Sequence, residues 1–306
     1  MPPKAKYGLS GTSGVSASRE EMDAILETLP EIDHTLIRTI DEDLHLNRKK
    51  FTLVSPFTGK DYAWPKYLAS LKKLPTEDAH AVFYDNSRDP EFQKKLRKAL
   101  HEHFDSFTLI EDLNAPATLD THPKIETWQY IANRCAQVYR VIYENHVPRQ
   151  IRKVFNLEDD IGLPANTWKH LNSVLDLNPQ VATAIGHCND RRPGYTSSGK
   201  PVAMNYHVHR LLGDGNLEPE SIVLELVPEK KFGVEQVGGG HMGCWLTRTA
   251  AIEQVAMGSV EFLGVMGQDL AWGWDLLQTD RWIMATDWAV KCKHWRKLEG
   301  KKLEAV

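Results

Sequence analysis

The sequence predicts an α/β protein built on a central, mixed but mostly parallel sheet flanked by helices. Three observations carry that prediction. From residue 51 onward, short apolar runs alternate with amphipathic helical stretches, which is the pattern of βαβ units. Polar clusters close the runs at Ser55–Thr58, Asp85–Arg88 and Glu158–Asp160. Parallel strands place their carboxyl ends on one rim, where ligands bind. The chain has 306 residues, 42% hydrophobic and 25% charged, which suits a globular protein with one large core.

Taken in order, residues 1–17 are small, polar and slightly basic, which reads as a flexible tail. Ser18 with Glu21 forms a capping-box pattern that opens a helix to about Leu29. Ile32, Leu36, Ile37, Ile40 and Leu44 follow at helical spacing and predict a second helix over about 31–46. Residues 18–50 therefore read as an N-terminal helical arm. Phe51–Ser55 is strand-like, and a helix over about 65–74 has Pro65 in its first turn. Ala79–Tyr84, Ser106–Ile110 and Lys153–Leu157 are the next strands. Helices at Glu91–His103 and about 125–145 lie between them, the first with Phe92, Leu96 and Leu100 on one face.

The second half is less regular. Residues 186–205 are turn-rich and predict a long functional or disordered loop. Glu220–Leu226 and Cys244–Leu246 read as strands, and Thr249–Met257 and Gly267–Leu277 as helices. Trp282–Ala285 and Val290–His294 are the last strand-like pieces, and residues 299–306 form a tail.

The 37 basic and 41 acidic residues give a formal charge of −4. This excludes a global basic field for nucleic acid but leaves a local basic patch open. Cys135, Cys188, Cys244 and Cys292 are far apart with no CxxC pair. That spacing excludes finger-type zinc and fits a reducing compartment. No apolar run approaches the ~18 residues of a membrane span, and no signal-peptide core is present. The expectation is a soluble, cytoplasmic protein with no membrane insertion.

Five segments carry chemistry. Glu158-Asp159-Asp160 leaves a strand on a tight turn. An isolated acidic triplet is usually a solvated turn, but carboxylates at a strand end suit Mn²⁺ or Mg²⁺, hard ions shared with phosphates. Asp85 ends the second strand, where a carboxylate can accept hydrogen bonds from a nucleotide. Gly238–Arg248 contains three successive glycines, which let backbone approach a ligand closely. It satisfies GxGxxG as a string but runs into a strand rather than a helix, so that match is discounted. Asp269 near the start of a helix, with Trp272 and Trp274, suits a general base beside a sugar-stacking platform, while tryptophans can equally be core and Asp269 a helix cap. His294 is a lone histidine near the end of the chain.

Read together, these features resemble the nucleotide-sugar glycosyltransferases of the Rossmann-like GT-A fold, closest to the inverting family-2 type, over about residues 51–296. The residues that match are Ser55-Pro56-Phe57, Asp85, Glu158-Asp159-Asp160, Gly238–Arg248, Gln268-Asp269 and His294. The resemblance implies residues 51–160 as the nucleotide-sugar-binding half and 161–298 as the acceptor-binding, catalytic half of one domain. Ser55, Pro56, Phe57, Asp85, Glu158, Asp159, Gly239 and Gly240 would surround the donor, a UDP-sugar. Arg134 would approach its phosphates, Asp160 and His294 would hold Mn²⁺ or Mg²⁺, and Asp269 would deprotonate the acceptor hydroxyl. Glu158 stands where the family has Asp, and Gln268 where it has Glu. Asp275 is the next candidate base, and with it a retaining mechanism stays open. Gln278–Trp282 matches QxxRW of processive synthases, but lies too close to Asp269 to count.

The acceptor is less defined. Arg191 and Arg192 sit in the most basic polar stretch of the second half, and Trp272 and Trp274 are the aromatic acceptor candidates. A hydroxymethylated pyrimidine in DNA is one acceptor the resemblance allows, and its phosphate contacts would make activity fall steeply with salt. Two competing readings stand beside this one. They are a sugar-1-phosphate nucleotidyltransferase, whose arginine-rich loop is absent at residues 55–61, and a non-catalytic carbohydrate- or nucleotide-binding module.

Overall fold

The computed structural model describes residues 32–43, 45–87, 89–113, 134–188, 194–195, 201–202, 208–212, 223–226, 232–255, 268–296 and 304–305. The expected tail at 1–17 and the capping-box helix from Ser18 lie outside these residues.

The first described strand corrects the sequence reading. Residues expected in a helix over 31–46 instead form β1 (Ile37–Asp43), which pairs antiparallel along its whole length with β4 (Ser106–Asp112). Ile37, Thr39 and Ile40 are β-branched and accept either state, and a complete seven-residue ladder decides between them. Arg38, Asp41 and Glu42 keep this outer strand charged, which protects a sheet edge from further pairing.

The expected βαβ units follow. They comprise β2 (Phe51–Phe57), α1 (Trp64–Leu71), β3 (Ala79–Asp85), α2 (Pro90–His103) and β4. Helix α3 (134–141) then passes through a π-helical turn, Ile142–His146, toward β5 (Lys153–Leu157). Pro65 and Pro90 both occupy first-turn positions, and Asp89 caps α2 by accepting from the Glu91 N–H at 2.9 Å. Strands β3, β2 and β5 lie side by side and parallel, with β4 parallel on the outer flank.

After β6 (Ile161–Gly162) come α4 (Thr167–Leu177) and β7 (Val181–Cys188). Neither was expected. Strand β7 is buried on both faces and rich in Ala and Thr, so it gives no alternating signal. It also shortens the long loop expected at 186–205, which further contains the paired β8 (Gly194–Tyr195) and β9 (Pro201–Val202). A small sheet joins β10 (Val208–Leu212), β11 (Val223–Leu226) and β13 (Gly239–Gly240); β12 (Val234–Val237) precedes β13. Next come β14 (Cys244–Arg248), α5 (Thr249–Gln254) and α6 (Gln268–Leu277). The chain closes with β15 (Ile283–Arg296), one strand where two pieces were expected, and β16 (Glu304–Ala305).

The main sheet runs β1-β4-β3-β2-β5-β14-β7-β15-β12. It is parallel from β4 to β5 and between β7 and β15, and antiparallel elsewhere along this order. Phe51, Leu53 and Phe57 of β2 point to a core shared with α1, α2 and α4. Val54 faces the second core with α3, α5 and α6. Both faces are therefore covered, which is why these strands read as continuous apolar runs. Three cysteines distant in sequence, Cys188, Cys244 and Cys292, are buried and free in the first core.

Helix α6 docks on the glycine segment through backbone contact. A Cβ at Gly273 would overlap the Gly238 carbonyl oxygen and crowd Gly239 Cα at 3.1 Å. Gly273→Ala is therefore expected to destabilise the protein by about 3 kcal/mol, the upper end of the usual overpacking range. Urea unfolding monitored by tryptophan fluorescence measures it, and a change below 1 kcal/mol would contradict this packing.

Candidate active site

Parallel pairing brings the carboxyl ends of β2, β3, β4 and β5 to one rim, with Phe57 opposite Asp85 and Asp85 opposite Glu111. The acidic turn follows directly after β5. Asp159 Oδ2 accepts from the Thr58 backbone N–H at 2.9 Å and from the Thr58 hydroxyl at 3.0 Å. The turn is thus tied to the loop after β2, as the polar clusters at the run ends predicted. Lys60, one residue beyond Gly59 in the left-handed region (φ 78°), donates to Asp159 Oδ1 at 2.8 Å and Asp160 Oδ2 at 2.9 Å.

Each outer carboxylate of the turn meets an imidazole. His294 Nε2 lies 3.2 Å from Asp160 Oδ1, and both side chains are buried. Pairing of β15 with β6 fixes this contact: His294 sits opposite Ile161, and the Trp295 N–H donates to the Asp160 carbonyl at 2.8 Å. His241 Nε2 lies 3.4 Å from Glu158 Oε2, and the two imidazole rings are 5.3 Å apart. Tyr139 of α3 donates to Glu158 Oε1 at 3.5 Å, and Asn156 donates to the Tyr139 oxygen at 3.0 Å. Burial first, and then the charge of Glu158, holds the Tyr139 hydroxyl well above its ordinary pKa, so it stays a donor.

Asp269 is carried by α6. It lies in the first turn of α6, partly exposed. The Cys135 thiol is pushed up to about 12 by burial first and then by the charges of Glu158, Asp269 and Asp159, against the opposing charge of Lys60. Helix α6 docks on Gly238 and Gly239, just ahead of His241.

No protein-family model and no curated protein matches this sequence. Among solved structures the chain is similar to A197 from STIV, at 10% identity over 84% of this chain and 93% of that one, with a TM-score of 0.42. It is also similar to S. aureus TarS 1-349 in complex with UDP-GlcNAc, at 13% identity, covering 67% of this chain and 47% of that one, TM-score 0.34. A third is the mannosyltransferase PcManGT from Pyrobaculum calidifontis in complex with GDP-Man and Mn2+. It shows 12% identity and covers 89% of this chain and 62% of that one, with a TM-score of 0.42. The chain spans less than two thirds of the latter two proteins.

The remaining expected residues fall into three groups. At the rim, Asp85 is buried, and burial raises its pKa against the opposing Ser87 hydrogen bonds. Its Oδ2 and the Asn86 Oδ1 are buried acceptors with no well-aligned donor among the described residues, a place for a ligand's N–H or O–H. Pro56 and Phe57 complete the end of β2, with Phe57 buried.

Other expected residues are engaged elsewhere. Ser55 is buried and shares a 2.6 Å hydrogen bond with the Tyr67 hydroxyl, so it anchors α1 to β2. Arg134 forms an ion pair with Asp112, which also accepts from the Tyr84 hydroxyl at 2.9 Å. Gly239 and Gly240 are buried; Gly239 lies against Gly273 of α6, and both glycines pair with β10. Trp272 corrects the idea of a stacking platform. It has no exposed surface, fills the second core, and its indole N–H lies 3.4 Å from the Thr183 hydroxyl. Arg248, at the end of the glycine-rich segment, donates to the Leu175, Asn178 and Val181 carbonyls and so caps α4. Arg191, Arg192 and the Trp274 side chain lie outside the described residues.

The sequence does not single out Lys60, Tyr139 or Asn156; Thr58 and His241 lie within marked segments, Ser55–Thr58 and Gly238–Arg248, without being named as candidates. Among the described residues no three side chains converge as a ready metal centre. The donors that do meet, Asp160 with His294 and Glu158 with His241, are oxygen and nitrogen ligands of the kind Mn²⁺ accepts. No described helix is long and apolar enough to cross a membrane.

Proposed function

We propose that this chain is a metal-dependent glycosyltransferase that moves a sugar from a nucleotide-sugar, a UDP-sugar, to an acceptor hydroxyl with inversion. One observation carries the reading: separate segments bring Glu158–Asp160, Lys60, His241 and His294 into contact beyond the parallel strands. Asp85 and Asn86 supply acceptors for the donor's base or ribose. Asp160 and His294 would hold a divalent ion, which when bound supplies positive charge for the departing diphosphate. The acceptor oxygen forms a bond to the anomeric carbon as the bond to the diphosphate breaks. Its proton passes to Asp269, and the electron pair leaves with the nucleoside diphosphate. Tyr139 and Asn156 keep Glu158 fixed in orientation while this happens.

The acceptor is assigned only as a hydroxyl, because Arg191 and Arg192, which would face a DNA acceptor, lie outside the described residues. The test is release of nucleoside diphosphate from UDP-, GDP- and TDP-sugars with Mn²⁺, in the presence of hydroxyl acceptors that include hydroxymethylated DNA. Turnover of one nucleotide family, abolished by chelator, is the expected result. No turnover with any donor would overturn the enzyme reading in favour of a binding module.

A further inference from the structure

Lys60 stands between two carboxylates of the acidic turn, 2.8 Å from Asp159 Oδ1 and 2.9 Å from Asp160 Oδ2. The carboxylates are fixed: Thr58 donates twice to Asp159, His294 sits against Asp160, and their side chains are 5% and 0% exposed. The lysine is the partner with access to solvent, at 28% exposure, on a flexible four-carbon stem just after the Gly59 turn. An ammonium in this place offsets the mutual repulsion of two buried carboxylates. It also holds the oxygens a divalent ion would need, and its charge repels such an ion at short range. Lysine binds phosphate as a point charge, so a diphosphate competes with the carboxylates for it.

Resting on the nucleotide-sugar reading, we infer that Lys60 is a resident cation that keeps divalent metal off the acidic turn until the donor's diphosphate draws the ammonium away. Metal and donor then enter together, and the free protein binds metal poorly.

The test counts free Mn²⁺ by electron paramagnetic resonance during titration of the full chain with MnCl₂, alone and with UDP or GDP. Wild type, Lys60→Met, Lys60→Gln, Lys60→Arg and Asp160→Asn are compared, with thermal unfolding as the check on folding. In wild type, Mn²⁺ is expected to bind at least about tenfold tighter with nucleotide than without. In the neutral Lys60 variants it binds at least about tenfold tighter than in wild type without nucleotide, and Lys60→Arg stays close to wild type. Two neutral variants are used so that a folding failure in one leaves the other to decide. If they bind Mn²⁺ no tighter than wild type, while wild type with nucleotide binds it and Asp160→Asn does not, the Lys60 inference is overturned and the donor reading stands. If wild type and the neutral variants bind no Mn²⁺ even with nucleotide, both are overturned.

Discussion

Asp269→Asn is expected to lower turnover by about 10²- to 10⁴-fold, the usual contribution of a positioned general base, with nucleotide binding and thermal stability close to wild type. The acceptor hydroxyl is a poor nucleophile near neutral pH, so loss of the proton acceptor affects the chemical step and not the donor complex. Asparagine keeps the size of the side chain in the first turn of α6, and Asp269 lies partly exposed, so little packing is lost. Asp275, also in α6 and six positions further on, is the control. Its asparagine variant should stay within about threefold of wild type, well short of the loss expected from removing a base. If Asp275→Asn carries the loss and Asp269→Asn does not, the base is reassigned. Steady-state kinetics with separate kcat and KM distinguishes these outcomes.

The second large effect is at Asp160. Its carboxylate, with no exposed surface, meets both Lys60 and His294. Removing it takes away a proposed metal ligand, and several kcal/mol of transition-state charge stabilisation corresponds to about 10³-fold or more in turnover. Alanine would also leave a buried imidazole beside a vacated partner, and breaking such a pair costs about 3–5 kcal/mol when both groups are charged. Asp160→Asn is therefore the better variant, since it keeps the shape and removes the charge. The expected result is a folded protein with turnover reduced about 10³-fold and no response to Mn²⁺, measured by kinetics beside thermal unfolding.

Much of the rim was legible because it follows from local pattern. Strands β2 to β5 are short apolar runs closed by polar residues, and their parallel order forces Asp85 and the acidic turn onto one edge. His294 is a lone histidine in sequence, set beside Asp160 there only by the family resemblance; the pairing of β15 with β6 supplies the physical contact between them. Lys60 and Thr58 sit in a loop whose partner is about a hundred residues away, a contact without local signal. The glycine run shows a use of small residues that the sequence alone does not specify: α6 packs closely against Gly238 and Gly239 at Gly273. For Trp272 the sequence leaves a stacking platform and a core position open, and helical periodicity turns it into the core. Residues 37–43 lost their helix to a complete ladder with β4, since non-local pairing outweighs a weak propensity.

A thermal-shift panel probes the proposed metal-dependent nucleotide-sugar site at the acidic turn. UDP-, GDP- and TDP-sugars would each be added with Mn²⁺, with Mg²⁺ and with chelator, to wild type and to Asp160→Asn. A ligand that binds only the folded chain raises its unfolding temperature in proportion to occupancy. The expected result is stabilisation by one nucleotide family in the presence of metal, lost with chelator and lost in Asp160→Asn. Stabilisation by none of the donors, or stabilisation that survives unchanged in Asp160→Asn, would contradict it.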